Sequence, residues 1–176
     1  MAGFFALEGL TRKPGSASSL HASADDQGTT RMIVIAYGLA AELPLVLRRT
    51  PLPQLPRLVA PAGLILQATG LGLRASSMRR LGESYSRTLR TEGAQHRVIE
   101  TGPYRFIRHP GYTGSLLTWT GFALASRSAP VIALVAGLMG RAYHQRIIAE
   151  EDLLRRELPG YVDYSGHTKK LIPFVW

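Results

Sequence analysis

The chain has 176 residues, 45% of them hydrophobic, no cysteine, and a formal net charge of +9 from 21 Lys and Arg against 12 Asp and Glu. That length fits one domain, and the absence of cysteine excludes disulfides, thiolate metal sites and a cysteine nucleophile. The charge points to nucleic acid, an anionic membrane surface or anionic ligands.

Residues 12–30, "RKPGSASSLHASADDQGTT", are rich in Ser, Ala, Gly and Asp and lack apolar periodicity. Residues 1–30 therefore read as a disordered tail, and 31–176 as the domain. Four apolar blocks follow, at 32–47, 58–73, 115–126 and 129–140. Only Arg127 and Ser128 separate the last two, a turn too tight for anything but a helical hairpin. The fourth helix is expected to run on through "RAYHQRIIAEEDLLRREL" until Pro159 and Gly160 stop it. Each block falls short of the about 20 residues a bilayer core asks for, but flanking arginines can snorkel. A soluble helical bundle is the competing reading, since short apolar blocks also serve as buried core helices.

Charge asymmetry argues for the membrane. Residues 74–108 carry eight arginines and 141–170 carry six basic residues, whereas the hairpin tip has only Arg127. This positive-inside pattern puts 74–110 and the C-terminal tail together in the cytoplasm; Arg48, Arg49 and Arg57 in the first connection fit it less well. The expected fold is all-α, an integral membrane helical bundle of about four transmembrane helices. Juxtamembrane arginines on lipid headgroups account for the net charge. With no zinc finger, RNA-binding sheet motif or basic zipper in the sequence, no nucleic-acid partner is expected.

Two polar clusters lie on that side. The first, "HRVIETGPYRFIRHPGYTG" (96–114), is stiffened by Pro103 and Pro110 and opened by Gly102, Gly111 and Gly114. It reads either as an interfacial turn with Tyr104 and Tyr112 as belt aromatics or as a loop lining a cavity. The second is "RIIAEE" (146–151), where Arg146 and Glu150 share a helix face, as do Glu151 with Arg155 and Asp152 with Arg156. Alone it fits a solvated helix laced with weak ion pairs. His21, His144 and His167 are read as incidental, and no ligand set at metal spacing is present.

The order Leu-Gly (81–82), "HRVI" (96–99), "TGPYRFIRHPGYTG", an apolar hairpin, "RIIAEE", "GYVDY" (160–164) and "KKLIP" (169–173) resembles the isoprenylcysteine carboxyl methyltransferase family, related to the phospholipid methyltransferases. The likeness covers about residue 58 to the end and is densest over 96–173. It implies a membrane enzyme that uses S-adenosylmethionine, held in a cytoplasmic pocket between the RHPxY loop and the last long helix. Carried over, His96, Arg97, Val98 and Ile99 would line the adenosine. Tyr104, His109, Pro110, Gly111 and Tyr112 would face the ribose and methionine portion. Glu150 or Glu151 would meet the amino or sulfonium end, and Arg146 the methyl acceptor. "LPGY" (158–161) and Lys170 depart from the family pattern.

Methyl transfer from a sulfonium mainly needs alignment and exclusion of water. A carboxylate acceptor is already nucleophilic and suits one arginine; an amine or phenol would want a base, for which Glu150 or His109 are the nearby candidates. The expected activity is thus methylation of the carboxylate of a prenylated or lipidic acceptor drawn from the membrane. The alternatives are phospholipid amine methylation, a nicotinamide-dependent reductase of the sterol reductase kind, or a non-catalytic membrane protein.

Overall fold

The computed structural model describes residues 26–82 and 98–175. Five α-helices run through these residues: α1 (Thr29–Val46), α2 (Val59–Leu81), α3 (Pro110–Leu124), α4 (Ala129–Glu157) and the short α5 (Tyr161–His167). Among the described residues no strand forms, only two isolated bridges, Gln54 with Ser128 and Ile107 with Lys169. The all-α expectation is met. At 1.5 Å per residue, the 23 residues of α2 and 29 of α4 reach about 34 and 44 Å, whereas the 15 of α3 reach only about 22 Å. Thr29–Arg49 is the one described helical stretch long and apolar enough by composition to cross a bilayer, with a mean hydropathy of 1.5.

Several boundaries differ from the sequence reading, each for a local reason. Helix α3 starts at Pro110, so the end of the supposed loop is already helical. Proline at the first helical position loses nothing, because its missing N–H would be unpaired there anyway. Helix α2 runs on to Leu81 through arginine-rich sequence, where Gly82 ends it at φ 50°. The tail boundary also moves. Asp26 to Thr30 are placed and largely structured, with Thr29 and Thr30 opening α1; residues 1–25 of the tail lie outside the described residues.

The chain runs up and down between two ends. At one end the α1–α2 connection meets the hairpin tip: Leu55 N–H donates to the Arg127 carbonyl at 2.7 Å, and the Arg127 guanidinium returns bonds of 2.8 and 3.0 Å to the Leu55 carbonyl. The site lies at the other end. Helix α1 packs along α4, and α2 along α3. The second contact is backbone on backbone. A Cβ built on Gly70 would lie 2.5 Å from the Gly114 carbonyl, and one on Gly121 would lie 2.5 Å from that of Gly63. Paired small residues of this kind let helices approach where lipid offers no hydrophobic drive.

The core gathers Trp119, Val131, Val135, Met139 and Tyr143 with Ala36 and Ala40 of α1. Tyr37 stacks on Trp119 at 5.2 Å, and its hydroxyl meets that of Tyr143 at 2.7 Å. Large apolar side chains point outward elsewhere. Val46, Leu58, Leu64 and Ile65 are each more than half exposed, the surface a bilayer covers and a soluble bundle would bury.

Candidate active site

The loop after Val98 is clamped from behind by the C-terminal segment. Arg108 N–H donates to the Lys169 carbonyl at 2.7 Å and His109 N–H to that of Lys170 at 3.0 Å. The Thr113 hydroxyl donates to the Leu171 carbonyl at 2.8 Å, and the Tyr164 hydroxyl to that of Tyr104 at 2.6 Å. From the front, Arg74 of α2 donates to the Gly111 carbonyl at 3.1 Å and to the Ser115 hydroxyl at 2.7 Å. Apart from a 3-10 turn at Gly102–Arg105 the loop has few internal hydrogen bonds, so these outside partners set its shape.

Glu151 is the hub of the clamp and is 1% exposed. Its Oε1 accepts from Arg108 Nε at 2.9 Å and His109 Nε2 at 3.2 Å, and its Oε2 from Arg155 at 3.1 Å. Lys170 Nζ lies 3.4 Å from the same oxygen. Burial alone would raise the Glu151 pKa, but hydrogen bonds from His109 and Arg108, and their charge, hold it at about 2 against a usual 4.5. A depressed carboxylate pKa stabilises the fold fully above its unfolded value and loses that contribution as pH falls toward its folded one. The melting-temperature gap between the wild type and Glu151→Gln is therefore expected to be full above about pH 4.5 and to close toward pH 2.

Glu150, the next residue on α4, belongs to a different network. The Tyr112 hydroxyl donates to its Oε2 and accepts from Arg146 Nε at 3.2 Å. Arg146 and Glu150, expected to share a helix face, thus converge on one phenol. The Tyr112 ring stacks on His109 at 5.6 Å with 12° between planes, and lies 5.0 Å from Tyr143. His109 and Tyr112 form an aromatic shelf, with a cation and an anion fixed at its edge. Arg146 turns its Nη1 the other way, to the Asp26 carboxylate and, at 3.0 Å each, to the Thr29 and Thr30 hydroxyls.

The structure brings His109, Tyr112, Arg146, Glu150 and Glu151 together. Pro110 and Gly111 start α3 beside them. Tyr104 is buried, while Val98 and Ile99 are half-buried, with Val98 lying 3.8 Å from the Cβ position of Gly160. His96 and Arg97 lie outside the described residues. Four contributors escaped the sequence reading. Arg74 was counted only as topogenic charge, Arg108 entered only as the first residue of RHPxY with no role of its own, Asp26 was assigned to a tail, and Tyr161 carried no signal beyond its motif. Tyr161 is 3% exposed, and its hydroxyl has no hydrogen-bond partner among the described residues. Burial and the nearby Glu151 and Glu150 charges push its pKa well up, so it stays a neutral donor.

A buried orphan donor near two carboxylates, and an aromatic shelf with an anion and a cation at its edge, suit a zwitterionic ligand with a flat ring system. S-adenosylmethionine has that chemistry: a cationic sulfonium and ammonium, a carboxylate and an adenine.

The profile of a family described as phospholipid methyltransferase matches residues 59–158. A probable protein-S-isoprenylcysteine O-methyltransferase of Oryza sativa subsp. indica is 26% identical over 166 residues, 90% of this chain and 87% of its own. The human 3-oxo-5-alpha-steroid 4-dehydrogenase 2 is 28% identical over 119 residues, covering 65% of this chain and 42% of its own. Among solved structures, a eukaryotic intramembrane Ras methyltransferase, isoprenylcysteine carboxyl methyltransferase, superposes with a TM-score of 0.67 at 19% identity over 82% of this chain. This chain spans about half of that one, 53%. At such identity the likeness is one of fold.

Proposed function

This chain belongs to the phospholipid methyltransferase family and is a methyltransferase, and from that premise we propose that it uses S-adenosylmethionine to methylate the carboxylate of a prenylated or lipidic acceptor. The observation that carries the reading is the Tyr112 hydroxyl bridging Arg146 and Glu150 at the edge of the His109–Tyr112 shelf. When bound, S-adenosylmethionine supplies an electrophilic methyl on a sulfonium, taken by an acceptor oxygen while the sulfur keeps the electron pair.

The chain's own residues do the rest. Glu150 complements the cofactor's positive charge, with one oxygen fixed by Tyr112 and the other outside that bond. Tyr161 offers its neutral hydroxyl to the zwitterionic tail. The clamped loop, with Val98, Ile99, Tyr104, Pro110 and Gly111, walls the site, and Glu151 holds that wall rather than touching the ligand. Arg146 orients an anionic acceptor. No proton leaves a carboxylate acceptor, so no general base is required; fixed geometry and a dry site supply the rate. The arginine-rich end faces the cytoplasm on the positive-inside rule, and the apolar lengths of α1 to α4 together form the membrane bundle, with residues 141–157 of α4 beyond it on the cytoplasmic side.

Purified protein in detergent is expected to bind S-adenosylhomocysteine and not NADPH. Absence of the first, in a folded sample, overturns the reading; binding of the second favours the reductase. Glu150→Ala is expected to weaken S-adenosylhomocysteine binding at least about tenfold, equivalent to about 1.4 kcal/mol, with the melting temperature little changed. His21→Ala is expected to do neither.

A further inference from the structure

Asp26 has no part in the methyl transfer just described, yet its carboxylate is buried, 0% exposed. Its carboxylate accepts from Arg146 Nη1, from the hydroxyls of Thr29 and Thr30, and from the Thr30 backbone N–H at 3.0 Å. Burial alone would raise its pKa; Thr30 and Arg146 together hold it below the usual carboxylate range, so it is an anion. The guanidinium that would orient an acceptor carboxylate therefore already holds one. Asp26 lies 120 residues away in sequence, on the segment that leads into α1.

Two neighbouring features fit an exchange of carboxylates at this position. Gly28 follows at φ 77°, and nothing lies within 4 Å of where its Cβ would be. The backbone can swing there at little steric cost. A cavity of about 300 Å³ opens between α1 and α4, lined by Gly28, Met32, Ile35, Ala36, Leu138 and Ala142 and by the exposed Arg31 and Arg141. Ala142 is one turn of α4 before Arg146. The cavity is thus an apolar groove between α1 and α4 that ends within one helical turn of Arg146 in sequence, with further positive charge at its edge.

We propose that Asp26 is an internal occupant of the acceptor subsite, which an incoming acceptor carboxylate displaces from Arg146 while its hydrocarbon chain lies in the groove between α1 and α4. This rests on the methyl-transfer reading and adds a specificity rule to it. Burying the Arg146 charge is costly, and Asp26, together with Tyr112 and Glu150, offsets that cost while the site waits. A carboxylate acceptor exchanges one anion for another and leaves Arg146 paired. A neutral or cationic headgroup cannot take Asp26's place, so the acceptor is an anionic amphiphile.

The test uses N-acetyl-S-farnesylcysteine and its carboxamide, titrated without cofactor into the full chain and its Asp26→Asn variant. Asparagine keeps the shape and an oxygen for Thr30 but surrenders the charge. The variant is expected to bind the carboxylate probe at least about fivefold more tightly than the wild type, with the carboxamide and S-adenosylhomocysteine unaffected. Unchanged or weaker binding of the carboxylate probe would make Asp26 a structural staple between α1 and α4 and overturn the proposal. Hydrogen exchange of the wild type decides the matter if the variant misfolds. The peptide containing the Thr30 amide is expected to exchange faster with the carboxylate probe than with the carboxamide, and equal or slower exchange counts against displacement. Loss of S-adenosylhomocysteine binding by the wild type is a separate failure, that of the methyl-transfer reading.

Discussion

Gly114→Ala is expected to destabilise the protein by about 3 kcal/mol, the upper part of the range for overpacking a filled interior. Alanine is the best helix former and would gain roughly 1 kcal/mol over glycine at an open helical position. At Gly114 the added methyl lands 2.7 Å from both the Arg74 nitrogen and the Gly70 carbonyl. These are backbone atoms, which cannot rotate aside, so α2 and α3 have to part. Because Arg74 also holds the Gly111 carbonyl and Ser115, the separation reaches the loop, and S-adenosylhomocysteine binding is expected to fall with stability. Gly72→Ala is the control. It sits on the same α2 helix with nothing within 4 Å of its Cβ position, and is expected to leave the melting temperature level or slightly higher. Thermal melts in detergent compare the two; equal effects would mean that the glycines are not there for close approach.

Glu151→Ala is expected to cost about 3–5 kcal/mol, the usual penalty for removing one partner of a buried ion pair. For a chain of this size that lowers the melting temperature by about 10 °C. Arg108 and His109, at 7% and 4% side-chain exposure, would be left without their anion, whereas Arg155 at 46% can turn to water. The contrast with Glu150→Ala is the sharper statement. Two adjacent glutamates on one helix are expected to fail differently, Glu151 by unfolding the clamp and Glu150 by losing the cofactor in a protein that still melts normally. A common phenotype would show the two carboxylates to be doing one job.

That division was not legible beforehand. Adjacent residues on a helix point about 100° apart, so "EE" sends the two carboxylates in different directions without saying where either one leads. The roles follow from where His109 and Tyr112 stand, which depends on the course of the loop. The loop in turn owes its path to backbone bonds with Lys169 and Lys170, residues the family pattern marks but composition does not explain. Arg74 was hidden for another reason. A buried arginine and a headgroup-binding arginine carry the same letter, and only the neighbouring Ser115 and Gly111 carbonyl distinguish them. The glycines at 63, 70, 114 and 121 did carry a signal, a seven-residue spacing on both helices that fits two faces meeting.

By itself the sequence determined the all-helical class, the tight hairpin, the asymmetric placement of arginine and the residue types of the site, because helix length, turn size and charge bias are local or additive properties. Tertiary structure alone decided that Tyr112 joins Arg146 to Glu150, that Glu151 pairs with Arg108 and His109, and that Asp26 reaches Arg146 across 120 residues. Such pairings depend on which buried charges find partners once the helices have packed. No local rule encodes that choice, since removing a charge from water is tolerated only where the assembled fold supplies its opposite.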